Sequence, residues 1–285
     1  MPPLASLVGD PAVRVVVLEV LTARHGAEDH RFRDPQLLGA QREVDVRDDQ
    51  ADKTDAHHDH DFLAFSAGLF ALAGQYGVQL VGGDTCRGPL TLTVQMHGFV
   101  PEGKALRRAG ARPGDVIYVT GTLGDAALAL RVRSGSAEEL SHAHAAFLAE
   151  RLERPTPRVR EGMALRGIAS AAIDISDGLA ADLGHILKAS GVGATVEVEN
   201  IPVSTAFTAM AKHRERWNLL LSGGDDYELC FTVPPEKQAA AEQLLARYPG
   251  GCTRIGVIES RHGLRCLLNG EIFEPAASGY QHFSN

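Results

Sequence analysis

Cysteine is scarce in this chain: Cys86, Cys230, Cys252 and Cys266 are spread through 285 residues and form no Cys-x-x-Cys pair. That spacing excludes a zinc knuckle and offers no disulfide framework, which points to a reducing cytoplasm. Positive charge is also short. Lysine and arginine number 28 against 36 acids, a net charge of -8, and both nucleic acids and anionic membranes need clustered cations in a partner. The early apolar run at residues 13–21 is interrupted by Arg14 and Glu19 and has no basic start, so it reads as neither signal peptide nor membrane span. Three signatures are missing too: a G-x-x-x-x-G-K-[ST] phosphate loop, a G-x-G-x-x-G dinucleotide turn and a G-x-S-x-G nucleophile elbow.

What the sequence does contain begins with a polar stretch at residues 50–61, QADKTDAHHDHD, which reads as a loop or disorder because it cannot bury enough apolar surface to offset its ordering. Its His57, His58, Asp59 and His60 lie side by side, and without a scaffold such neighbours rarely converge on one ion. Phe62, Phe65, Leu69, Leu72 and Tyr76 then recur at alternating spacings of three and four, predicting an amphipathic helix that Gly77 ends. Strands are expected at 78–81, at 90–97, where apolar and polar residues alternate, and at 116–119. Beyond the proline-containing residues 154–157, expected to link two domains, strands at 171–175, 194–198, 227–233 and 254–258 alternate with helices. Asn269-Gly270 marks a hairpin turn. The expected organisation is a divergent or partly disordered segment over 1–61, the rest of a first domain over 62–150 and a second domain over 151–285.

Three acid-glycine turns follow apolar runs: Gly82-Gly83-Asp84-Thr85, Asp174-Ile175-Ser176-Asp177-Gly178 and Gly223-Gly224-Asp225-Asp226. Pooled in one cleft, Asp84, Asp174 and Asp177 would suit Mg²⁺, which takes a few carboxylates together with the substrate's phosphates. A bland alternative competes at each turn, since Asp177 could simply cap the helix that follows. Arg107 and Arg108 could present guanidinium to phosphate, or could be solvated surface groups.

The stretches LVGGDTCRGPL, MHGFVPEGKALRRAGARPGDVIYVTGTLGDAAL, RPTPRVREGMALR, AIDISDGLAADLGHILKASGVGA, LSGGDDYELCFTVP and GYQHF together resemble the thiamine-monophosphate kinases. These belong to the ATP-binding superfamily that also holds aminoimidazole ribonucleotide synthetase and selenophosphate synthetase. The resemblance covers residues 62–285. It implies an α/β (α+β) two-domain fold, with an N-terminal sheet-forming nucleotide domain and a C-terminal α/β domain, and a cytoplasmic homodimer built through the first domain's sheet. The implied reaction moves the γ-phosphoryl group of ATP to thiamine monophosphate with Mg²⁺. Carried over by position, Gly83 and Asp84 contact ATP and metal, Arg108 and Ser176 contact ATP, and Asp174 and Asp177 hold Mg²⁺. Asp84 and Asp177 are marked as catalytic, while Asp225 and Tyr280 meet the thiamine moiety, Asp225 standing where the family usually carries glutamate.

One departure lies upstream. The family pattern has an early Gly-Asp-Asp turn, a Ser-Thr-Asp metal site and an Asn-Leu-Ser-Asp helix, none recognisable before Phe62. The resemblance therefore implies a site short of Mg²⁺ ligands, and a competing reading is a catalytically silent protein that still binds nucleotide or thiamine phosphate.

Overall fold

The computed structural model describes residues 14–22, 56–83, 85–87, 91–135, 141–209 and 216–275. The chain divides into two compact units, Met1–Gly103 and Lys104–Asn285.

In the first unit, β1 (Arg14–Thr22) is flanked on one side by β2 (Val78–Gly82) and β3 (Thr85–Arg87), both parallel to it, and on the other by antiparallel β4 (Thr91–Gly98). The run Val15-Val16-Val17-Leu18 is rich in β-branched residues, which suits a central strand. Strand β1 lies within the stretch 1–61 expected to be divergent or partly disordered, and it forms the middle of this sheet. One correction concerns α1 (Ala56–Gln75), which starts six residues before Phe62 and takes in half of the polar stretch expected as loop or disorder. On β4, Leu92, Val94 and Met96 share one face and are 42%, 46% and 62% exposed.

The second unit holds a seven-stranded sheet. Its elements are β5 (Val116–Thr120), α2 (Asp125–Arg133), α3 (His142–Glu153), α4 (Val159–Ala164), β6 (Ala171–Asp174), α5 (Leu179–Ser190), β7 (Gly193–Glu197), α6 (Thr205–Ala209), α7 (Arg216–Ser222), β8 (Leu229–Val233), α8 (Gln238–Leu245), β9 (Cys252–Glu259), β10 (Gly263–Leu268) and β11 (Glu271–Phe273). The strand order is β11-β10-β7-β9-β5-β8-β6, antiparallel except for β7 and β10. Asn269-Gly270 makes the β10–β11 hairpin turn, as expected.

Both faces of this sheet are covered, so β5 is buried at all five positions. Ile117 and Val119 pack towards Leu183, Ile186 and Phe207 on one side. Val116 and Tyr118 pack towards Leu165, Val233 and Leu245 on the other, with Tyr118 stacked on Phe231 at 5.6 Å. The expected boundary near residue 150 is therefore displaced: β5 and α2 belong to the second unit, because β5 pairs with β8 and β9. Residues 154–157 lie inside this unit as the connection from α3 to α4. Pro155 ends α3, since the residue before proline is forced out of helical backbone.

Among the described residues no helix is long and apolar enough to cross a membrane.

Candidate active site

Strand β6 is the edge of the second unit's sheet, and its last residue, Asp174, opens residues 175–178, the turn into α5. Leu179, Leu183, Ile186 and Leu187 bury the apolar face of α5, so the start of the helix is fixed relative to the strand. Asp182 is on the first turn of α5 and only 2% exposed. Its Oδ2 accepts the backbone N–H groups of Ser176 at 2.9 Å and Asp177 at 3.0 Å. Burial raises the Asp182 pKa, the two N–H donors lower it, and the neighbouring Asp177 and Asp174 charges raise it again. Gly178 adopts φ 110°, and a Cβ there would lie 2.9 Å from the Ser222 carbonyl carbon, so only glycine fits between β6 and the end of α7.

The other turn, residues 223–228, is zipped onto this one by main-chain bonds. Asp225 N–H donates to the Ser176 carbonyl at 2.9 Å, Tyr227 N–H to the Ile175 carbonyl at 2.9 Å, and Ile175 N–H to the Glu228 carbonyl at 2.8 Å. A Cβ on Gly224 would stand 2.2 Å from the Ser176 carbonyl oxygen, which explains the glycine in this close approach. Side chains alternate along the turn. Asp225 and Tyr227 face outward, Asp225 half-buried and Tyr227 exposed, while Asp226 and Glu228 are buried.

The inward pair ties the turn to the core. Glu228 is fully buried and takes Arg158 Nε and Nη2 at 2.6 Å each, Arg151 Nη2 at 3.0 Å and the Thr120 hydroxyl at 2.7 Å. Removing one partner of such a buried ionic cluster costs about 3–5 kcal/mol. Asp226 accepts the Gly124 N–H at 2.8 Å, just before α2, while its other oxygen has no partner. Burial pushes this carboxyl up to about 7, opposed by the Gly124 hydrogen bond and aided by the Asp125 charge.

Two of the three acid-glycine turns thus meet. Asp174 is exposed, Ser176 and Asp177 are half-buried, and Asp225 stands across from them. Among the described residues no three His, Cys, Asp or Glu side chains are grouped to hold a metal ion. The third turn belongs to the first unit: Gly83 is exposed at the end of β2, and Asp84 lies outside the described residues, as does Tyr280. Arg108 is exposed. Its backbone is held beside β6, because the adjacent Arg107 carbonyl accepts the Ala172 N–H at 3.0 Å and Ser190 Oγ accepts the N–H groups of Gly110 and Ala111 at 3.1 and 3.2 Å. A cleft of about 540 Å³ opens next to this arm, lined by Arg107, Arg112, Asp115, Ser170 and Lys237 among others; neither acid turn contributes to it.

Residues 112–269 match the family model described as AIR synthase related protein, C-terminal domain. The thiamine-monophosphate kinase of Salmonella typhimurium is 47% identical over 222 residues, which span 78% of this chain and 68% of that protein. The chain belongs to the thiamine-monophosphate kinase family. Among solved structures, that of the thiamine-monophosphate kinase from Stenotrophomonas maltophilia K279a superposes with a TM-score of 0.69 at 38% identity, covering 92% of this chain and 72% of that one. AaThiL complexed with AMPPCP and TMP matches with a TM-score of 0.64 at 25% identity, covering 96% and 74%.

The stretch LSGGDDYEL carries three residues whose roles residue type alone does not assign. Tyr227, Asp226 and Glu228 follow Asp225 directly, and only the alternation of the folded turn separates outward from inward groups. Asp182 was equally silent, since no pattern signals a carboxylate turning back onto N–H groups five and six residues earlier.

Proposed function

We propose that this chain transfers the γ-phosphoryl group of ATP to thiamine monophosphate, giving thiamine diphosphate and ADP. The observation that carries this reading is the meeting of the Asp174–Gly178 and Gly223–Glu228 turns, held by three main-chain bonds. Family membership supports it, as does the matching AaThiL structure, which contains both AMPPCP and TMP.

The acceptor is an ionised phosphate near neutral pH, so the site needs alignment rather than a strong base. Asp174 and Asp177 offer hard oxygen ligands on one accessible turn, which fits Mg²⁺, an ion commonly bound by one or two carboxylates plus substrate phosphates. Bound there, Mg²⁺ would offset negative charge on the transferred group. By resemblance, Gly83 and Asp84 contact ATP and metal. Ser176 must contact ATP through its hydroxyl, because its N–H is already given to Asp182. Arg108 brings an exposed guanidinium on an arm anchored to β6 and α5, and Asp225 supplies the charge opposite the cationic thiazolium, with Tyr280 as its aromatic partner.

The exposed stripe of Leu92, Val94 and Met96 supports a homodimer through the first unit's sheet. Cys230, Cys252 and Cys266 are free thiols, in keeping with a cytoplasmic protein.

The early acid motifs not recognisable before Phe62 favour a second reading, in which binding survives and turnover is slow. Thiamine diphosphate formation from ATP, Mg²⁺ and thiamine monophosphate, measured beside calorimetric binding of an ATP analogue, separates the two. Turnover at about 1–100 s⁻¹, the usual kinase range, refutes an impaired site. Binding of both ligands without product refutes the kinase reading for this chain.

A further inference from the structure

The outward half of the 223–228 turn is built in an unusual way. Asp225 and Tyr227 both have positive φ, 64° and 51°, a region that non-glycine residues seldom occupy and that aromatic residues enter only when their surroundings hold them there. The three bonds to residues 175 and 176 hold this backbone, and the effect is to turn two side chains to the same side. Tyr227 Oη donates to Asp225 Oδ1 at 3.2 Å, while the residue as a whole stays 40% exposed. The phenol's pKa is raised first by burial, then by the charge and hydrogen bond of Asp225, and further by Asp174 and Asp177. Tyr227 thus hydrogen-bonds a carboxylate of its own turn and feels the charge of the carboxylates on the other.

We propose that Tyr227 is a positioning residue that fixes the Asp225 carboxylate for the cationic ring of the substrate. The inference rests on thiamine monophosphate being that substrate. Aspartate has a short side chain, so where its carboxylate points depends on what its oxygens bond. A neutral hydroxyl donor holds the carboxylate without neutralising it, and the exposed aromatic surface beside it favours a cation.

The test uses the full chain with Tyr227→Phe, Asp225→Asn and the double variant. Removing a hydrogen bond to a charged group predicts about a tenfold weaker affinity and higher KM for thiamine monophosphate in Tyr227→Phe, with kcat and the KM for ATP within about twofold. Because the hydroxyl acts through Asp225, the double variant should bind no more weakly than Asp225→Asn alone. Unchanged thiamine monophosphate binding in Tyr227→Phe, additive losses in the double variant, or a fall in kcat with both KM values raised would each overturn the proposal. Binding is read by calorimetry apart from turnover, so a wild-type chain that binds but makes no product sinks the kinase reading while the binding series still decides on Tyr227. A wild-type chain that binds no thiamine monophosphate sinks both.

Discussion

Asp182 reaches back beneath Asp177 and accepts its backbone N–H at 3.0 Å, so a buried carboxylate shapes the turn that presents the two accessible ones. The cost is three negative charges in one neighbourhood, and the result is a turn whose Ile175, Ser176 and Asp177 N–H groups are used internally rather than offered to phosphate.

Replacing Asp182 with alanine leaves the N–H groups of Ser176 and Asp177 without that acceptor and frees the turn. We expect kcat to fall about 10- to 100-fold, the scale of a 1 Å misplacement at a reacting site, with a higher Mg²⁺ requirement. Asp182→Asn keeps an acceptor oxygen and should lose less. Steady-state kinetics at several Mg²⁺ concentrations check both, and equal losses in the two variants would count against the acceptor role.

Asp174 is exposed, so its substitution should be felt by the ligand and not by the fold. Asp174→Asn is expected to lower kcat/KM by about a hundredfold, an electrostatic contribution of about 2.7 kcal/mol, while surface changes shift stability by only about 0.5 kcal/mol. Kinetics beside a urea melt test this. A variant that is destabilised but kinetically normal would remove Asp174 from the site.

The acid turns and the alternation on β4 were plain in the sequence because each is a local pattern. Asp174 to Gly178 announced itself by two acids and a glycine after an apolar strand. The central β1 was not read as a strand, since Arg14 and Glu19 break its apolar pattern and its partners begin at Val78, more than fifty residues away. Placement of β5 failed for a related reason: a buried five-residue run looks the same whichever sheet it joins. Inward groups such as Asp226 and Glu228 were hidden because residue type alone does not tell an acid at the substrate from one that braces the core.

Asp226 gives a pH signature. Its carboxyl stands at about 7 in the folded chain and titrates near 3.9 when unfolded. Between those values the folded state keeps a proton that the unfolded state has lost, so this group's contribution to stability falls as pH rises from about 4 to about 7. The loss is on the order of 2–4 kcal/mol at 1.36 kcal/mol per pH unit. Urea midpoints at pH 5, 6 and 8 should decline more steeply for the wild type than for Asp226→Asn, and parallel slopes would refute the assignment.

The apolar stripe on β4 yields an association test. Met96, 62% exposed, should tolerate lysine within the monomer, but a charge in the centre of an apolar contact is costly. Light scattering is expected to give a dimer for the wild type and a monomer for Met96→Lys. A wild-type monomer would remove the proposed interface.

The arm bearing Arg108 also has a second job. Strand β6 is the sheet's outer strand, and an open strand edge invites pairing with another chain and aggregation. The Arg107 carbonyl occupies the Ala172 N–H on that edge, so the segment that carries the exposed Arg108 also shields the rim. Loosening the arm would therefore expose a sticky border, and solubility should decline.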